Sequence, residues 1–389
     1  MRVLFTSTPS YGHFHPLVPF ARALADAGHE VAFATGASFA PVVAHTRFRH
    51  VPAGFDGDIN DAYPQLRTWR GPERVAFMQR EVFAGMRPRH MLPDLLTLAA
   101  TWPPDLVVRE EREYGGCLAA EILGLPHAAV GITVGGDRAV PELIASPLEA
   151  HRARYGLTPD PDVAMSHRYL TLRPFPPSFQ DPVLPIAPTT HSVRPLLGDR
   201  SGPEELPPWV TTLPDRPVIY IGLGTVFNEP AIFRAFLTGL CDEALTVIVT
   251  VGRDQDPADY GPQTGHVHIE RYIPLSLVLP YCDLVITNGG SGTLTAALAH
   301  GLPVVVVPVA ADQPDNAARC AALGLGRLVV PANLTPETAR QAVLTVLKDP
   351  RYRAAAEHMR TEIDALPGPD YAVALLERLA AEKQPILQW

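Results

Sequence analysis

Two segments of the chain open in the same way, with a β-rich run that ends in a glycine-containing turn. The first begins at Arg2 and ends in Pro9-Ser10-Tyr11-Gly12-His13, and the second begins at Pro217 and ends in Gly222-Leu223-Gly224-Thr225. Strand-like and helix-like stretches alternate after each turn, which is typical of an open parallel sheet. The 389 residues exceed what one hydrophobic core usually covers. The sequence therefore predicts two α/β domains that face each other across a cleft, with ligands bound beyond the carboxyl ends of the strands.

The alternation also predicts where the elements lie. Strands are predicted over residues 2–6, 30–35, 48–51, 105–108 and 127–131 in the first half, and over residues 218–221, 246–250, 267–270, 284–287, 303–307 and 327–330 in the second. Helices are predicted over residues 16–27, 293–300, 316–323 and 371–382. The first helix has Pro16 in its first turn and Gly28 as its stop signal.

Two proline-rich breaks set the predicted domain boundaries. Prolines recur throughout residues 182–217, so this stretch is predicted to be an interdomain linker rather than a helix. The second break, Pro367-Gly368-Pro369, isolates a terminal helix. We expect one domain over residues 1–204, with the linker from about residue 182, and a second domain over residues 205–366. Residues 367–389 are expected to hold a C-terminal helix that packs back toward the first domain.

The composition excludes several classes of protein. The formal charge is -9, from 32 basic and 41 acidic residues, whereas a protein that binds nucleic acid or an anionic membrane in bulk needs a basic excess. No apolar run approaches the length of a membrane span, and the one at the amino terminus is too short for a signal peptide. The four cysteines form no CxxC pair and have no zinc-like spacing. We therefore expect free thiols and a cytoplasmic protein.

The strongest local signal in the second half is the turn Asn288-Gly289-Gly290-Ser291-Gly292-Thr293. It follows a predicted strand and opens a predicted helix, so its backbone N–H groups and the helix dipole favour an anion there. The hydroxyls of Ser291 and Thr293 add donors suited to a diphosphate. The turn is neither a P-loop nor the spaced dinucleotide fingerprint, and a tight turn with close helix–sheet packing is the alternative interpretation.

A second polar turn follows about twenty residues later, at Asp312 and Gln313. It also lies between a predicted strand and a predicted helix, so it projects into the same cleft. A carboxylate beside an amide can accept from and donate to several hydroxyls of a sugar. The alternative is that Asp312 or Asp315 only caps the helix that follows.

These motifs together resemble the nucleotide-sugar signature of bacterial family 1 glycosyltransferases, most closely the branch that decorates macrolides, enediynes and aromatic polyketides. The resemblance extends to Gly301-Leu302-Pro303 and, at the amino terminus, to Gly12-His13-Phe14-His15-Pro16 and Gly28-His29-Glu30-Val31, so it spans nearly the whole chain. It implies the GT-B fold, which consists of two Rossmann-like domains facing across a cleft. It also implies an inverting reaction, with the acceptor in the first domain and the nucleotide sugar in the second.

The resemblance implies that His13 is the general base. Imidazole suits this task because its ordinary pKa lies near neutrality. Glu110, at the end of the predicted fourth strand, matches the acid that orients the base, although Glu111 and Glu113 are close enough in sequence to be alternatives. A solvated charge cluster that includes the neighbouring arginines is the other interpretation.

The nucleotide contacts implied by the resemblance come from three segments. Tyr272 and Ile273 match the aromatic segment that stacks on the base and reads its edge. Thr225, after Gly224, matches a hydroxyl that meets the diphosphate. Asn288 stands where the family usually has a histidine.

An asparagine at that position carries no charge, so we expect weaker diphosphate binding there or compensation by Arg253 or Arg271. For the same reason the replacement Asn288→His is expected not to weaken donor binding.

The acceptor contacts are expected to be apolar. Residues 54–89 carry aromatic side chains among charges and could form a mobile flap over a bulky ligand or ordinary surface helices. The candidate acceptor residues are Phe14, Phe55, Trp69, Phe77 and Phe83.

The expected activity is transfer of a sugar, in particular a deoxysugar, from a dTDP-sugar to a hydrophobic natural-product aglycone. A UDP-sugar donor, a nucleotide-sugar epimerase on the same fold and a catalytically silent binding protein are the alternatives, and a homodimer is left open. The resemblance implies metal-free catalysis, so we expect neither a metal nor a cofactor.

Overall fold

The computed structural model describes residues 1–134, 141–199, 204–224, 229–252 and 255–388. Two parallel sheets account for its strands. The first sheet has the order β3-β2-β1-β4-β5-β6-β7. Its strands are β1 (Arg2–Thr6), β2 (Glu30–Thr35), β3 (Arg49–Pro52), β4 (Leu106–Glu110), β5 (His127–Val130), β6 (Leu170–Arg173) and β7 (Thr190–Ser192).

The second sheet has the order β10-β9-β8-β11-β12-β13. Its strands are β8 (Val218–Gly222), β9 (Thr246–Thr250), β10 (Val267–Glu270), β11 (Leu284–Thr287), β12 (Val304–Val306) and β13 (Gly326–Leu328). In each sheet the first strand pairs with the fourth strand of its half, as β1 with β4 and β8 with β11. In the first sheet, the turns after β1 and β4 therefore lie side by side at the carboxyl edge. The turns after β8 and β11 do the same in the second sheet, and such sheets bind ligands at this edge.

Helices cover both sheets. The first domain holds α1 (Tyr11–Phe14), α2 (Val18–Asp26), α3 (Ala40–Thr46), α4 (Ile59–Ala62), α5 (Gly71–Phe77), α6 (Arg87–Thr101), α7 (Tyr114–Leu123) and α8 (Pro141–Arg154), with a π-helix over Met78–Met86. The second holds α9 (Pro230–Leu240), α10 (Leu275–Val278), α11 (Ser291–Ala299), α12 (Gln313–Ala322), α13 (Pro336–Lys348) and α14 (Pro350–Ala365), and α15 (Pro369–Glu382) follows. None of the helices in the described ranges is long and apolar enough to cross a membrane.

The predicted first helix began too late. Helical backbone starts at Tyr11 and runs through α1, a 3-10 turn over His15–Leu17 and α2. Pro16 and Pro19 each stand near the start of one of these pieces, where the missing N–H of proline costs no hydrogen bond. His13 consequently lies in the short helix α1 and not in an irregular loop.

The interpretation of residues 182–217 as a linker was incomplete, because β7 lies within them at the edge of the first sheet. The strand is three residues long, and prolines are tolerated next to an edge strand. The terminal helix α15 packs on α2, and its Leu376 and Leu379 belong to the core of the first domain. Ile386 follows them into the same core.

Candidate active site

His13 and Glu110 meet at the carboxyl edge of the first sheet. His13 lies in α1, which follows β1, and Glu110 is the last residue of the neighbouring strand β4. His13 Nδ1 donates to Glu110 Oε1 at 2.9 Å. The Glu110 side chain is fully buried, whereas 19% of the His13 side chain is exposed. One side of the imidazole therefore contacts a buried carboxylate, and the other side faces the open edge of the sheet.

Local electrostatics keep the Glu110 carboxyl ionised. Burial raises its pKa, but the charge and hydrogen bond of His13, the backbone N–H of Arg112 and the charge of Arg109 lower it by more, so the pKa lies below its ordinary value. The Arg112 N–H donates to Glu110 Oε2 at 2.6 Å. A carboxylate at Nδ1 selects the tautomer in which Nδ1 carries the hydrogen and Nε2 can accept a proton.

The other two glutamates of this segment have different partners. Glu113 caps α7 by accepting from the backbone N–H groups of Gly115 and Gly116, and it also accepts from Thr6 Oγ1. Burial raises the pKa of the Glu113 carboxyl. Glu111 accepts from Thr133 Oγ1. Glu110, Glu111 and Glu113 are all buried, so the interpretation as a solvated charge cluster was wrong.

Arg109 is a fully buried charge that the sequence did not single out as functional. Its guanidinium donates to the carbonyl oxygens of Glu110, Glu111 and Ser166. These bonds hold the chain in place directly after β4, and the positive charge lowers the pKa of Glu110. The signal in the sequence was an arginine directly after the apolar run Leu106-Val107-Val108, since such a charge stays buried only with partners.

The predicted acceptor aromatics divide into three groups. Phe83, in the π-helix Met78–Met86, stacks on the His13 ring with 5.8 Å between centroids. Phe55 lies at the same edge of the sheet, in a small cavity that Thr8 also lines.

Phe14 is fully buried against Phe33 and Phe39 in the domain core, so its assignment to the acceptor was wrong. It lies next to His13 in α1, and adjacent positions of a helix point in different directions. Phe14 therefore faces the core although its neighbour faces the cleft.

Trp69 and Phe77 pack edge to face at 5.3 Å between ring centroids. They pack against Leu66, Val82 and Met86 in a small cluster, which Phe55 also contacts. Most of residues 54–89 thus folds as short helices around this cluster, which matches the interpretation as surface helices with ordinary core contacts. Phe83 is the aromatic of the set that contacts His13.

Asn288 links the two glycine-containing turns of the second sheet. Its Nδ2 donates to the Leu223 carbonyl, and its Oδ1 accepts from the Gly290 N–H at 3.0 Å. Only 2% of Asn288 is exposed. Gly289 has φ +84°, and a Cβ atom there would lie 2.7 Å from Val306, so glycine is required by conformation and by space.

The first turn of α11 holds Ser291, Gly292 and Thr293, of which Thr293 is buried and Gly292 exposed. Ser291 Oγ donates to Asp312 Oδ2 at 2.6 Å, and Asn316 Nδ2 donates to the same oxygen at 2.8 Å. Asp312 makes no capping bond to α12, so the structure does not support the capping alternative for this residue.

Gln313 is buried, and its Oε1 accepts from the backbone N–H groups of Val309 and Ala310. Its oxygen thus holds the loop before α12. Tyr272 is half-buried and donates from its hydroxyl to the Asp199 carbonyl, whereas Ile273 is buried in the core of the second domain. Gly224 has φ +75° and lies beside the Asn288 amide.

The remaining candidates are Thr225, Arg253 and Arg271. Thr225 and Arg253 lie outside the described residues. Arg271 is exposed and forms an ion pair with Asp256 at 3.0 Å.

The two domains touch at the donor turn. The Val134 N–H, in the segment after β5, donates to Ser291 Oγ at 3.1 Å. Arg319 of α12 donates to the carbonyls of Ser178 and Phe179 in the first half of the chain. No group of three histidine, cysteine, aspartate or glutamate side chains with the geometry of a metal site occurs in the part of the chain that the structure describes.

Comparisons with known families cover most of the chain. Residues 22–224 match the family described as the erythromycin biosynthesis protein CIII-like N-terminal domain, and residues 237–379 match the C-terminal domain of the same description. The 10-deoxymethynolide desosaminyltransferase of Streptomyces venezuelae is 30% identical over 98% of this chain and 98% of its own length. The 4'-demethylrebeccamycin synthase of Lentzea aerocolonigenes is 29% identical over 97% of this chain and 99% of its own length.

Solved structures agree with this assignment. The glycosyltransferase VinC in complex with dTDP has a TM-score of 0.80 at 28% identity, over 98% of this chain and 100% of that one. The calicheamicin glycosyltransferase CalG4 has a TM-score of 0.83 at 26% identity, over 99% of each chain. The chain therefore belongs to the erythromycin biosynthesis protein CIII-like family and is a glycosyltransferase of the GT-B fold, in the natural-product branch of family 1.

Proposed function

We propose that this glycosyltransferase moves a deoxysugar from a dTDP-sugar to a hydroxyl of a natural-product aglycone, with inversion and with His13 as the general base. The observation that carries the proposal is the 2.9 Å bond between His13 and the buried Glu110. It lies at the edge of the first sheet that binds ligands in this fold. The Ser291 turn contacts the same domain through Val134.

The chemistry is a single displacement. The acceptor oxygen attacks the anomeric carbon while its proton passes to His13 Nε2, and the bond from that carbon to the diphosphate oxygen breaks. Attack on the face opposite the leaving group inverts the configuration. The negative charge of Glu110 stabilises the imidazolium that forms. This stabilisation requires no rearrangement of either side chain, because His13 and Glu110 are already in contact.

The donor site acts through backbone and hydroxyl groups. The leaving diphosphate is proposed to bind Gly289, Gly290 and the first turn of α11, where the helix dipole favours an anion. Asp312 is proposed to contact the sugar, and Tyr272 the nucleotide base. Gln313 is proposed to contribute through its amide nitrogen, since its oxygen holds the preceding loop.

The choice of dTDP over UDP is supported by relatives. VinC binds dTDP in its structure, and the Streptomyces venezuelae relative is named for desosamine transfer. We propose a cytoplasmic reaction that requires no cofactor beyond this co-substrate.

The test is an assay of purified protein with dTDP- and UDP-sugars and a panel of aglycones, with products followed by mass and the anomeric configuration read from NMR couplings. Glycosylated aglycone of inverted configuration is expected. Isomerised donor formed without acceptor, or binding without turnover, would overturn the proposal.

Two variants test the base. His13→Ala is expected to abolish transfer and to leave calorimetric donor affinity within about twofold. His45→Ala, at an exposed histidine of α3, is the matched control and is expected to retain wild-type turnover. Wild-type turnover in His13→Ala would remove His13 from its role.

A further inference from the structure

Arg87 is a charged residue at the proposed acceptor site that the chemistry above does not use. It is the first residue of α6 and directly follows the π-helix Met78–Met86. It stands four residues after Phe83, so both side chains project from the same side of the helix. Since Phe83 stacks on His13, this side faces the proposed base.

Arg87 also lines the small cavity at the carboxyl edge of the first sheet. Thr8 contributes from the turn after β1, Gly54 and Phe55 from the segment after β3, and Glu113 from the segment after β4. The cavity has room for about one water molecule, at roughly 10 Å³. The guanidinium thus lies where three strand ends meet, at the edge assigned to the acceptor.

The Arg87 side chain is incompletely satisfied. Its Nε is buried and has no hydrogen-bond partner. Burial lowers the pKa of the Arg87 guanidinium, and the charges of Glu110 and Glu113 act in the opposite direction. A buried cation is costly unless it is paired, so this group is suited to bind an oxygen that enters the site.

The two neighbouring carboxylates are already compensated by other groups. Glu110 accepts from His13 and from the Arg112 N–H. Glu113 accepts from Thr6 and from two backbone N–H groups at the start of α7. Both carboxylates thus have hydrogen-bond donors besides Arg87, although their charges act on its guanidinium. The unpaired Arg87 Nε remains available to a ligand.

We propose that Arg87 binds an anionic oxygen of the acceptor, such as a carboxylate, an ionised phenol or an enolate, while Phe55 and Phe83 contact the apolar ring system. The acceptor is thus a hydrophobic molecule with an acidic oxygen near the hydroxyl that receives the sugar. This inference rests on the proposed glycosyl transfer and narrows its acceptor class. A guanidinium suits the task because its forked donors match the two oxygens of a carboxylate.

The test compares pairs of acceptors that differ only in the anion. Hydroxynaphthoic acids with different separations between hydroxyl and carboxylate are each paired with their methyl esters. For the preferred separation, wild-type kcat/KM is expected to be at least about tenfold higher for the acid than for the ester, the size of one charge-assisted hydrogen bond. Dissociation constants for the same pairs are measured by calorimetry, so the result does not depend on turnover.

Three variants make the test specific. Arg87→Gln is expected to remove the preference by raising KM for the acid about tenfold, with the ester changed by less than about twofold. Arg87→Lys keeps the charge without the fork and is expected to restore part of the preference. Arg89→Gln, at an exposed arginine two residues further along α6, is the control and is expected to behave as the wild type.

The outcomes separate this inference from the proposed function. The role of Arg87 would be overturned if the wild type transferred sugar to esters and acids equally well, or if Arg87→Gln lost kcat/KM equally for both. Either result would leave the proposed glycosyl transfer intact. If the protein binds the carboxylic acids in a way that depends on Arg87 but transfers sugar to none of the acceptors, the anion site is supported and the proposed function is contradicted. Equal calorimetric affinity for acid and ester would also overturn the anion site.

Discussion

The replacement Glu110→Gln tests the proposed dyad most directly, because the structure fixes how the amide must lie. The Arg112 N–H donates to Glu110 Oε2 at 2.6 Å, so a glutamine would place its carbonyl oxygen there. Its NH₂ group would then face His13 Nδ1. An imidazole can meet this donor only by accepting at Nδ1, and its hydrogen would move to Nε2, the atom proposed to accept the proton from the acceptor.

The expected loss follows from two contributions. A hydrogen bond to a charged group contributes about 1.5–3 kcal/mol, which corresponds to roughly 10- to 150-fold in rate. The wrong tautomer adds to this, and the analogous exchange of acid for amide in a Ser-His-Asp triad lowers kcat by about 10⁴. We therefore expect Glu110→Gln to lower kcat by between about 10² and 10⁴. Donor affinity should stay within about twofold, because the donor turn lies in the other domain.

The assay is initial-rate transfer at saturating donor, with calorimetric donor binding and thermal unfolding measured on the same preparations. Glu111→Gln is the matched control, because this buried neighbour accepts from Thr133, and its kcat is expected to stay within about threefold of wild type. A kcat for Glu110→Gln within about threefold of wild type would refute the dyad. A larger loss in Glu111→Gln than in Glu110→Gln would show that the wrong glutamate had been assigned.

Five further outcomes are expected. Asn288→Ala removes the amide that joins the Leu223 carbonyl to the donor turn. It is expected to weaken calorimetric donor binding about tenfold, the size of one lost net hydrogen bond. Asn288→His is expected to retain donor affinity, and a loss of affinity would count against the proposed diphosphate contact. Phe83→Ala removes the ring on His13 and should lower kcat/KM about two- to tenfold, whereas an unchanged value would separate Phe83 from the site. The pKa of Glu110 is depressed, so its contribution to the free energy of unfolding is present above the unfolded-state pKa of about 4.3 and is lost as pH falls through the lower folded-state value. In urea unfolding, the stability of Glu110→Gln should therefore fall less steeply with acid than that of the wild type. Parallel curves of stability against pH would contradict the shift. Transfer should survive a chelator, and strict dependence on added magnesium would overturn metal-free catalysis.

The strands of the second domain were predictable because their chemistry is local. Thr246–Thr250 and Leu284–Thr287 are short buried runs of β-branched and aliphatic residues, and both were predicted with the bounds that the structure has. Thr190–Ser192 was missed because three residues among prolines carry too little periodicity. The early start of the first helix was missed because Pro16 was interpreted as the beginning of one helix, whereas it lies inside the second of three short pieces, His15–Leu17.

Residues of the candidate site were predictable where a motif or a neighbouring pair of strands carries them. His13 follows β1 and Glu110 ends the adjacent strand β4, so their contact agrees with the order of the sheet. The capping role of Glu113 had a signal in its position two residues before Gly115-Gly116, although glutamate is not among the preferred capping residues. Phe83 was named in the sequence only as one of five candidate aromatics, and Arg87 was not named. The directions of both side chains depend on a π-helix that hydrophobic spacing does not reveal.

The contacts of the two halves differ in sequence separation, and this difference has a consequence for specificity. On the donor side, Ser291, Asp312 and Asn316 bond to one another across at most 25 residues, and Asn288 locks their turn to the chain after β8. A substitution there disturbs several bonds at once. On the acceptor side, His13 and Glu110 stand 97 residues apart and keep their own bond, while Phe83 and Arg87 reach them from a separate helical segment. Exchanging these two side chains would therefore alter the acceptor without moving the proposed base, so acceptor choice is the property that a few substitutions can change.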